Sequence, residues 1–314
     1  MARCLLALVL AAAAIAEQPR YEIAGKVEPG TRVSVSLYGA TTPFSDDTAS
    51  DAHGRFRFRK LLAGSYTLAI FAPGRGEARL TVDVGPGSAN KSGRVEVTLN
   101  LRDSDFAFND IVERNAVSAR QLTVPERAWR EYERARKDLG RRDVDDARAH
   151  LNKATEIAPQ FATAWNTLGT VEYQTQHYPR AEQCFREALA QNPSAYEALV
   201  NLGGVLINLN RLKEARDFNQ RAISMRPNDA LANSQLGMTY FELGEFAPAE
   251  KYLQRAVEID PAHFSHPQLI LAQIHARENN PQKAADDLDS FLQHHPDWPD
   301  AAKLRTAIAA LRAR

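Results

Sequence analysis

At 314 residues, with 44% hydrophobic and 25% charged side chains, the chain is long enough for two domains with buried cores and too ordered in composition for a disordered polymer. Its 39 basic and 39 acidic residues balance, which removes the global field that would draw it to nucleic acid or to an anionic membrane surface. Cys4 and Cys184 are too few for a cysteine-rich zinc site.

The chain opens with MARCLLALVLAAAAIAEQ, in which Arg3 precedes an apolar run from Leu5 to Ile15, and Ala14-Ile15-Ala16 forms a small-x-small site before Glu17. This predicts a secretory signal over residues 1–16 and, with it, a periplasmic or extracellular protein. The run is too short to span a bilayer comfortably, so no integral membrane segment is expected after cleavage; an uncleaved anchor is the alternative. Cys4 lies ahead of the run, badly placed for acylation at a cleavage site, and cleavage would discard it. Cys184 would then have no partner for an internal disulfide and is expected to be a small buried side chain.

From residue 17 to 101 the hydrophobic period is 2. YEIAGKV, RVSVSLYG, GRFRFRKL, GSYTLAIFA, ARLTVDV and RVEVTLNL alternate or run apolar between Gly, Pro, Asn and Asp clusters, which predicts six or seven short strands in a small β-sandwich. In GRFRFRK the alternation sends Phe56 and Phe58 to the core and Arg55, Arg57 and Arg59 outward, either as an anion-binding stripe or as a solvated face. IAGKV, VSVSLYG and TASDAHGRFRFRKLLAGSYTLAIFA together resemble the carboxypeptidase regulatory-like family of prealbumin-type sandwiches. The residues that carry the resemblance are Gly25, Val27, Asp51, Gly54, Phe56, Phe58, Leu62, Gly64, Tyr66 and Leu68. It implies a noncatalytic accessory module, and some relatives of that fold bind carbohydrate; Tyr38 and Phe44 are the aromatic candidates here.

Residues 102–122 form a linker whose Phe106, Phe108, Ile111 and Val112 are expected to dock. TVPE then sets Thr123 three residues before Glu126 as a capping box for the first helix. Beyond it, over residues 123–298, Pro159, Pro193, Pro227 and Pro261 recur every 34 residues and Pro296 follows after 35. A fixed period of this kind means a repeat protein, with each proline ending the second helix of a unit. AWNTLGTVEYQTQHYPRAEQCFREALAQNP, ALVNLGGVLINLNRLKEARDFNQRAISMRP and LANSQLGMTYFELGEFAPAEKYLQRAVEIDP resemble the tetratricopeptide repeat.

About five units are expected, beginning near Ala128, Ala162, Tyr196, Ala230 and Ser265. Gly169, Gly203 and Gly237 leave room where paired helices approach, while Trp165, Leu168, Phe185, Leu202, Leu236 and Leu253 fill the spaces between. The third unit departs from pattern with Asn219 where its neighbours have Phe185 and Leu253, and the fifth with Phe291 in place of Ala. PDAAKLRTAIAALRAR, in residues 299–314, reads as a capping helix with Ala301, Leu304, Ile308 and Leu311 on one face. The fold class is therefore multidomain: a small all-β sandwich followed by an all-α solenoid, which the resemblance implies is a right-handed superhelix.

That resemblance also implies a concave protein-binding groove lined by the first helices. Its positions fall on Trp129, Tyr132 and Arg136 in the first unit, Asn166, Thr170 and Tyr173 in the second, Val200 and Ile207 in the third, and Leu231, Ser234, Met238 and Phe241 in the fourth. The paired Lys and Asn clamp of relatives that hold acidic C-terminal tails is absent, since Asn166, Thr170, Val200 and Gly204 stand there. Several of the groove residues could equally pack on a neighbouring helix.

No G-x-S-x-G, H-E-x-x-H or Walker-type loop is present. The best imidazole cluster, His263 and His266 near His275 with His294-His295, lacks a carboxylate or cysteine at a recognisable spacing, so neither a metal nor another cofactor is expected. The reading is an exported noncatalytic adaptor that binds a protein or peptide through its groove. A carbohydrate-binding protein using the sandwich is the alternative, and an enzyme at the domain junction a third.

Overall fold

The computed structural model describes residues 19–72, 76–100 and 123–313; the expected signal over 1–16 and the linker over 102–122 lie outside them. Seven strands come first: β1 (Tyr21–Glu28), β2 (Ser34–Gly39), β3 (Ser45–Ala49), β4 (Arg55–Leu61), β5 (Gly64–Ala72), β6 (Gly76–Val84) and β7 (Arg94–Asn100). They form a three-stranded sheet in the order β4-β1-β7 and a four-stranded sheet in the order β3-β2-β5-β6. β1 pairs antiparallel with β4 and parallel with β7, while every pair in the second sheet is antiparallel.

Alternation decides the core, because successive side chains of a strand point to opposite faces. Ile23, Val35, Leu37, Phe56, Phe58, Leu68 and Ile70 are buried between the sheets. Gly25 lies under the Phe56 ring, where a Cβ would come within 2.0 Å of it. The outward arginines are paired in part: Arg55 pairs with Asp51, while Arg57 and Arg59 share the single carboxylate of Glu22 with Arg94, so the stripe keeps net positive charge. Asp51 also accepts from the amides of His53 and Arg55, which closes the turn that Gly54 completes at φ 78°.

Eleven helices follow: α1 (Glu126–Arg141), α2 (Val144–Ile157), α3 (Ala162–Gln174), α4 (Tyr178–Gln191), α5 (Tyr196–Asn208), α6 (Leu212–Met225), α7 (Ala230–Glu242), α8 (Phe246–Ile259), α9 (Pro267–Arg277), α10 (Pro281–His294) and α11 (Ala301–Arg312). Successive pairs make five units, and the punctuating prolines each stand two residues beyond the end of a second helix. Where paired helices meet, Gly169 faces Phe185, Gly203 faces Asn219 and Gly237 faces Leu253 at distances no Cβ would tolerate. Asn219 thus fills the slot of its apolar counterparts, fully buried, and donates to Thr239 Oγ1 at 3.2 Å. Cys184 is buried too, and burial pushes its thiol up to about 11, which keeps it protonated.

Within each unit the turn between helices uses one left-handed residue: Arg142, Gln176, Asn210, Gly244 and Asn279, with φ from 55° to 77°. Only the fourth of these is the glycine such a backbone favours. α11 closes the last unit with Leu304, Ile308 and Leu311 against Leu288 and Ala285.

Two local expectations change, and the departure at Phe291 finds its explanation. Thr123 does not cap α1, whose N-cap is Pro125 with no side-chain bond; its carbonyl and hydroxyl accept from Gln160 Nε2 instead. Trp165 is only half-buried, with its indole N–H on Pro159 O at 2.9 Å, whereas Phe161 and Phe185 are fully buried. Phe291 is accommodated in the fifth unit by an aromatic group of its own, the rings of His266, His295 and Trp298.

Candidate functional site: a chamber between sandwich and solenoid

The four-stranded sheet turns its outer face to the concave side of the solenoid. The strand period that buries Leu37, Leu68 and Val82 sends Tyr38, Thr67, Glu77, Arg79 and Thr81 the other way, toward α1, α3, α5 and α7. The two surfaces enclose a chamber of about 1170 Å³.

Three sets of contacts close its margins. At the first units Arg136 pairs with Asp47, Gln174 donates to Gly39 O at 2.9 Å, and Arg142 donates to the Tyr66 hydroxyl at 2.8 Å with its guanidinium over the Phe44 ring. In the middle Arg79 bonds Glu77 at 2.7 Å and Glu197 at 3.1 Å, and Arg226 reaches the same Glu197 while lying 3.8 Å above the Tyr196 ring. Burial opposes the charge of Arg79, but Glu77, Glu197 and Asp229 around it more than compensate and hold it protonated.

At the last units the docking is made by side chains just beyond helix ends. Asp260, the C-cap of α8, accepts from the Thr81 amide at 2.9 Å; burial pushes its carboxyl up to about 6. His295, the C-cap of α10, donates from Nδ1 to Asp83 at 2.5 Å, and although burial works the other way, the bonds from His295 and Ser65 hold Asp83 below its ordinary range. Asp297 accepts from the amides of Gly87 and Ser88. A Cβ at Gly85 or Gly87 would fall 2.5 and 2.7 Å from that carboxylate, so the loop after β6 needs both glycines to come this close. His263 is buried beside this seam, with its imidazole pushed down to about 3 by burial and by the neighbouring His266 and His295.

Of the twelve expected groove residues, seven line the chamber: Tyr132, Arg136, Asn166, Thr170, Tyr173, Val200 and Leu231. The other five do not. Trp129 stacks on Phe161 beside Tyr132, Ile207 joins the core of the third unit, and Ser234 is buried with its hydroxyl 2.6 Å from that of Ser265. Phe241 packs on Phe246 under the Arg277 guanidinium, and Met238 is half-buried outside the chamber.

The floor also holds residues that the groove pattern missed. Asn201 donates to Asn166 Oδ1 at 3.2 Å and lies 3.4 Å from Thr170 Oγ1; Gln235 crosses Gly204, where a Cβ would fall 2.6 Å from its Nε2. Asn166, Asn201 and Gln235 thus form a row of side-chain amides over three units, at intervals of 35 and 34 residues. Gln235 Oε1 is buried with no hydrogen-bond donor among the described residues. Such a row presents donors and acceptors spaced along a groove, the arrangement that hydrogen-bonds an extended main chain.

Three of the five histidines gather beside the seam at the last units: His263 bonds Ser265 at 2.7 Å with His266 and His295 next to it, and the rings of the latter two meet edge to face at 4.7 Å, whereas His275 lies apart between Glu250 and Asp287. Among the described residues no helix is long and apolar enough to cross a membrane.

Comparison with known proteins matches the two halves separately. A carboxypeptidase regulatory-like domain model matches residues 23–100, and tetratricopeptide repeat models match residues 166–230 and 230–263. The type IV pilus assembly protein PilF of Pseudomonas aeruginosa is 29% identical over 125 residues, 39% of this chain and 49% of that protein. Anaphase-promoting complex subunit 3 of Schizosaccharomyces pombe is 27% identical over 119 residues, 38% of this chain and 18% of that one. The chain thus spans less than half the length of either curated relative. Among solved structures the type IV pilus biogenesis factor PilW superposes with a TM-score of 0.53 at 22% identity, over 59% of this chain and 86% of PilW. MamA from Desulfovibrio magneticus RS-1 superposes with a TM-score of 0.50 at 19% identity, over 56% of this chain and 99% of that one; both likenesses concern the fold.

Proposed function

We propose that this chain, a carboxypeptidase regulatory-like domain joined to tetratricopeptide repeats, is an exported, noncatalytic adaptor that grips an extended segment of a partner protein in the chamber between them. Tetratricopeptide repeats are protein-interaction scaffolds, and the first residues of the chain carry the pattern of a secretory signal. The observation that carries the reading is the amide row Asn166, Asn201 and Gln235 on the chamber floor, in which Gln235 Oε1 has no hydrogen-bond donor among the described residues. The chamber, at about 1170 Å³, exceeds the roughly 300–1000 Å³ that suits small molecules. Its polar floor suits a main chain better than an apolar helix face.

The test is selection of random displayed peptides on the full chain, followed by affinity measurement on wild type and on an Asn201→Ala, Gln235→Ala double variant. Loss of two amides, each worth about 0.5–1.5 kcal/mol, should weaken the selected peptides by about 5- to 150-fold while the variant still unfolds in a cooperative transition. Peptides bound equally by both proteins, or none recovered at all, would remove the reading. A glycan is the second partner class, favoured by one observation: the Tyr38 ring is 42% exposed and lines the chamber from the sandwich side. Retention on a glycan array that disappears with Tyr38→Ala would select it.

A further inference from the structure

We propose that Glu250, His275 and Glu278 form a binding site for a divalent first-row transition cation at the junction of the fourth and fifth units, remote from the chamber. Glu250 comes from α8, His275 from the last turn of α9, and Glu278 is the C-cap of that helix. One donor atom from each lies within 4.8 Å of the other two. Ligands held at about 2.0–2.2 Å by one ion stand roughly 3–4 Å apart, so the three need to close by up to about 1–2 Å.

His275 supplies the reason to look for a cation there. Its imidazole is 3% exposed and meets a carboxylate at each nitrogen, Asp287 at 2.6 Å from Nδ1 and Glu250 at 3.0 Å from Nε2. A neutral imidazole has one N–H, and both neighbours are acceptors. One contact therefore requires a second positive centre, a proton or a metal ion. Glu278 separates the two. A proton on Nε2 satisfies His275 and Glu250 alone, whereas Glu278, whose amide caps α9 on Ile274 O and whose carboxylate makes no hydrogen bond or ion pair among the described residues, converges on the same point and gains nothing from it. An ion at Nε2 engages all three. Asp287 then takes the place of the carboxylate that fixes the tautomer and orientation of a metal-bound histidine through its other nitrogen. The C-terminal end of α9 adds its own negative dipole end. Lys283, 3.8 Å from Glu250 and 59% exposed, is the basic side chain that an incoming ion must displace, and its flexible stem reaches solvent readily. One imidazole with two carboxylates suits Zn2+, Mn2+ or Co2+ better than a soft or a large hard cation.

The experiment is calorimetric titration of the chelator-treated full chain with Zn2+, alongside Glu278→Gln, Asp287→Asn and a Mg2+ control. One Zn2+ per chain is expected, with affinity falling at least tenfold in E278Q and about 10–100-fold in D287N. Because the Glu278 side chain is exposed and unbonded, E278Q keeps the fold, and its melting curve without metal should match wild type. The His275 imidazole signals of wild type, followed by NMR, should shift on Zn2+ addition. Equal uptake by wild type and E278Q, or uptake by neither, overturns the site and leaves His275 a protonated tie between two carboxylates.

Discussion

The two ends of the concave face share one repeat geometry and do different work. Over the first three units the first helices present Tyr132, Asn166, Thr170, Tyr173 and Asn201 to an enclosed space, and the sandwich touches the solenoid mainly through Arg136, Arg142 and Gln174 at the rim. Beyond Leu231 and Gln235 of the fourth unit the space closes, because Asp260, His295 and Asp297 stand just past helix ends and bond directly to β6 and the loop after it. The lesson is that helix faces supply an open lining, while helix ends, with short polar side chains at a fixed phase of the repeat, supply the dock. A solenoid can therefore hold one domain permanently and keep part of the same surface for something else.

The most disruptive test addresses the scaffold common to both ends. Phe185 is fully buried against Gly169, so Phe185→Ala should cost about 3–5 kcal/mol. If the sandwich is docked as described, both parts should lose stability in one calorimetric transition; a sandwich transition unmoved by the substitution would break the comparison. Next comes the closed end. The carboxyl of Asp260 lies at about 6 when folded against 3.8 as its ordinary value. Its contribution is therefore fully present below pH 3.8 and is lost as pH rises through 6. Asp260→Asn removes that titration, so the stability difference between variant and wild type should shift in favour of the variant by about 2 kcal/mol from pH 4 to pH 7. His263, pushed down to about 3, has the opposite sign and loses its contribution as pH falls, but it is common to both proteins and cancels in the difference. A pH-independent difference would mean that Asp260 is solvated rather than docked. The smallest effect sharpens the open end: Gln176 holds φ 64° in a turn where the fourth unit has Gly244. Gln176→Gly should stabilise by about 0.5–1 kcal/mol, read from denaturant midpoints, and a loss of stability would show that the Gln176 side chain contributes more than its backbone costs.

The repeat was legible because its signals are steric. Prolines end helices, and glycines admit Phe185 and Leu253 where a Cβ would collide with them. The strands were legible for a related reason, since alternation fixes which side of Phe56 and Phe58 is core. Docking of the sandwich left no such trace. Asp47, Asp83, Asp260 and Asp297 occupy strand faces and helix ends, where charge is the default whether it meets water or another domain. Part of the chamber floor was open to a closer reading: the near-repeat spacing of Asn166, Asn201 and Gln235 is visible in the chain, but Asn201 lies one residue from the groove position taken by Val200. The Thr123 capping box failed because Pro125 already starts the helix and Thr123 is engaged by Gln160 from the next unit's approach. At Asn219 polarity marked a departure from the repeat, whereas volume against Gly203 decided the packing.

Among the described residues β6 is an edge strand, and Asp260 occupies the outward amide of Thr81 on that edge. Strand edges with unsatisfied amides are templates on which other chains assemble. The solenoid thus serves its neighbour as an edge guard, and a sandwich cut away from it would carry a bare edge into solution, where self-association by strand addition becomes available to it. Independence of the two parts in evolution, by loss or exchange of one of them, would have to solve that problem first.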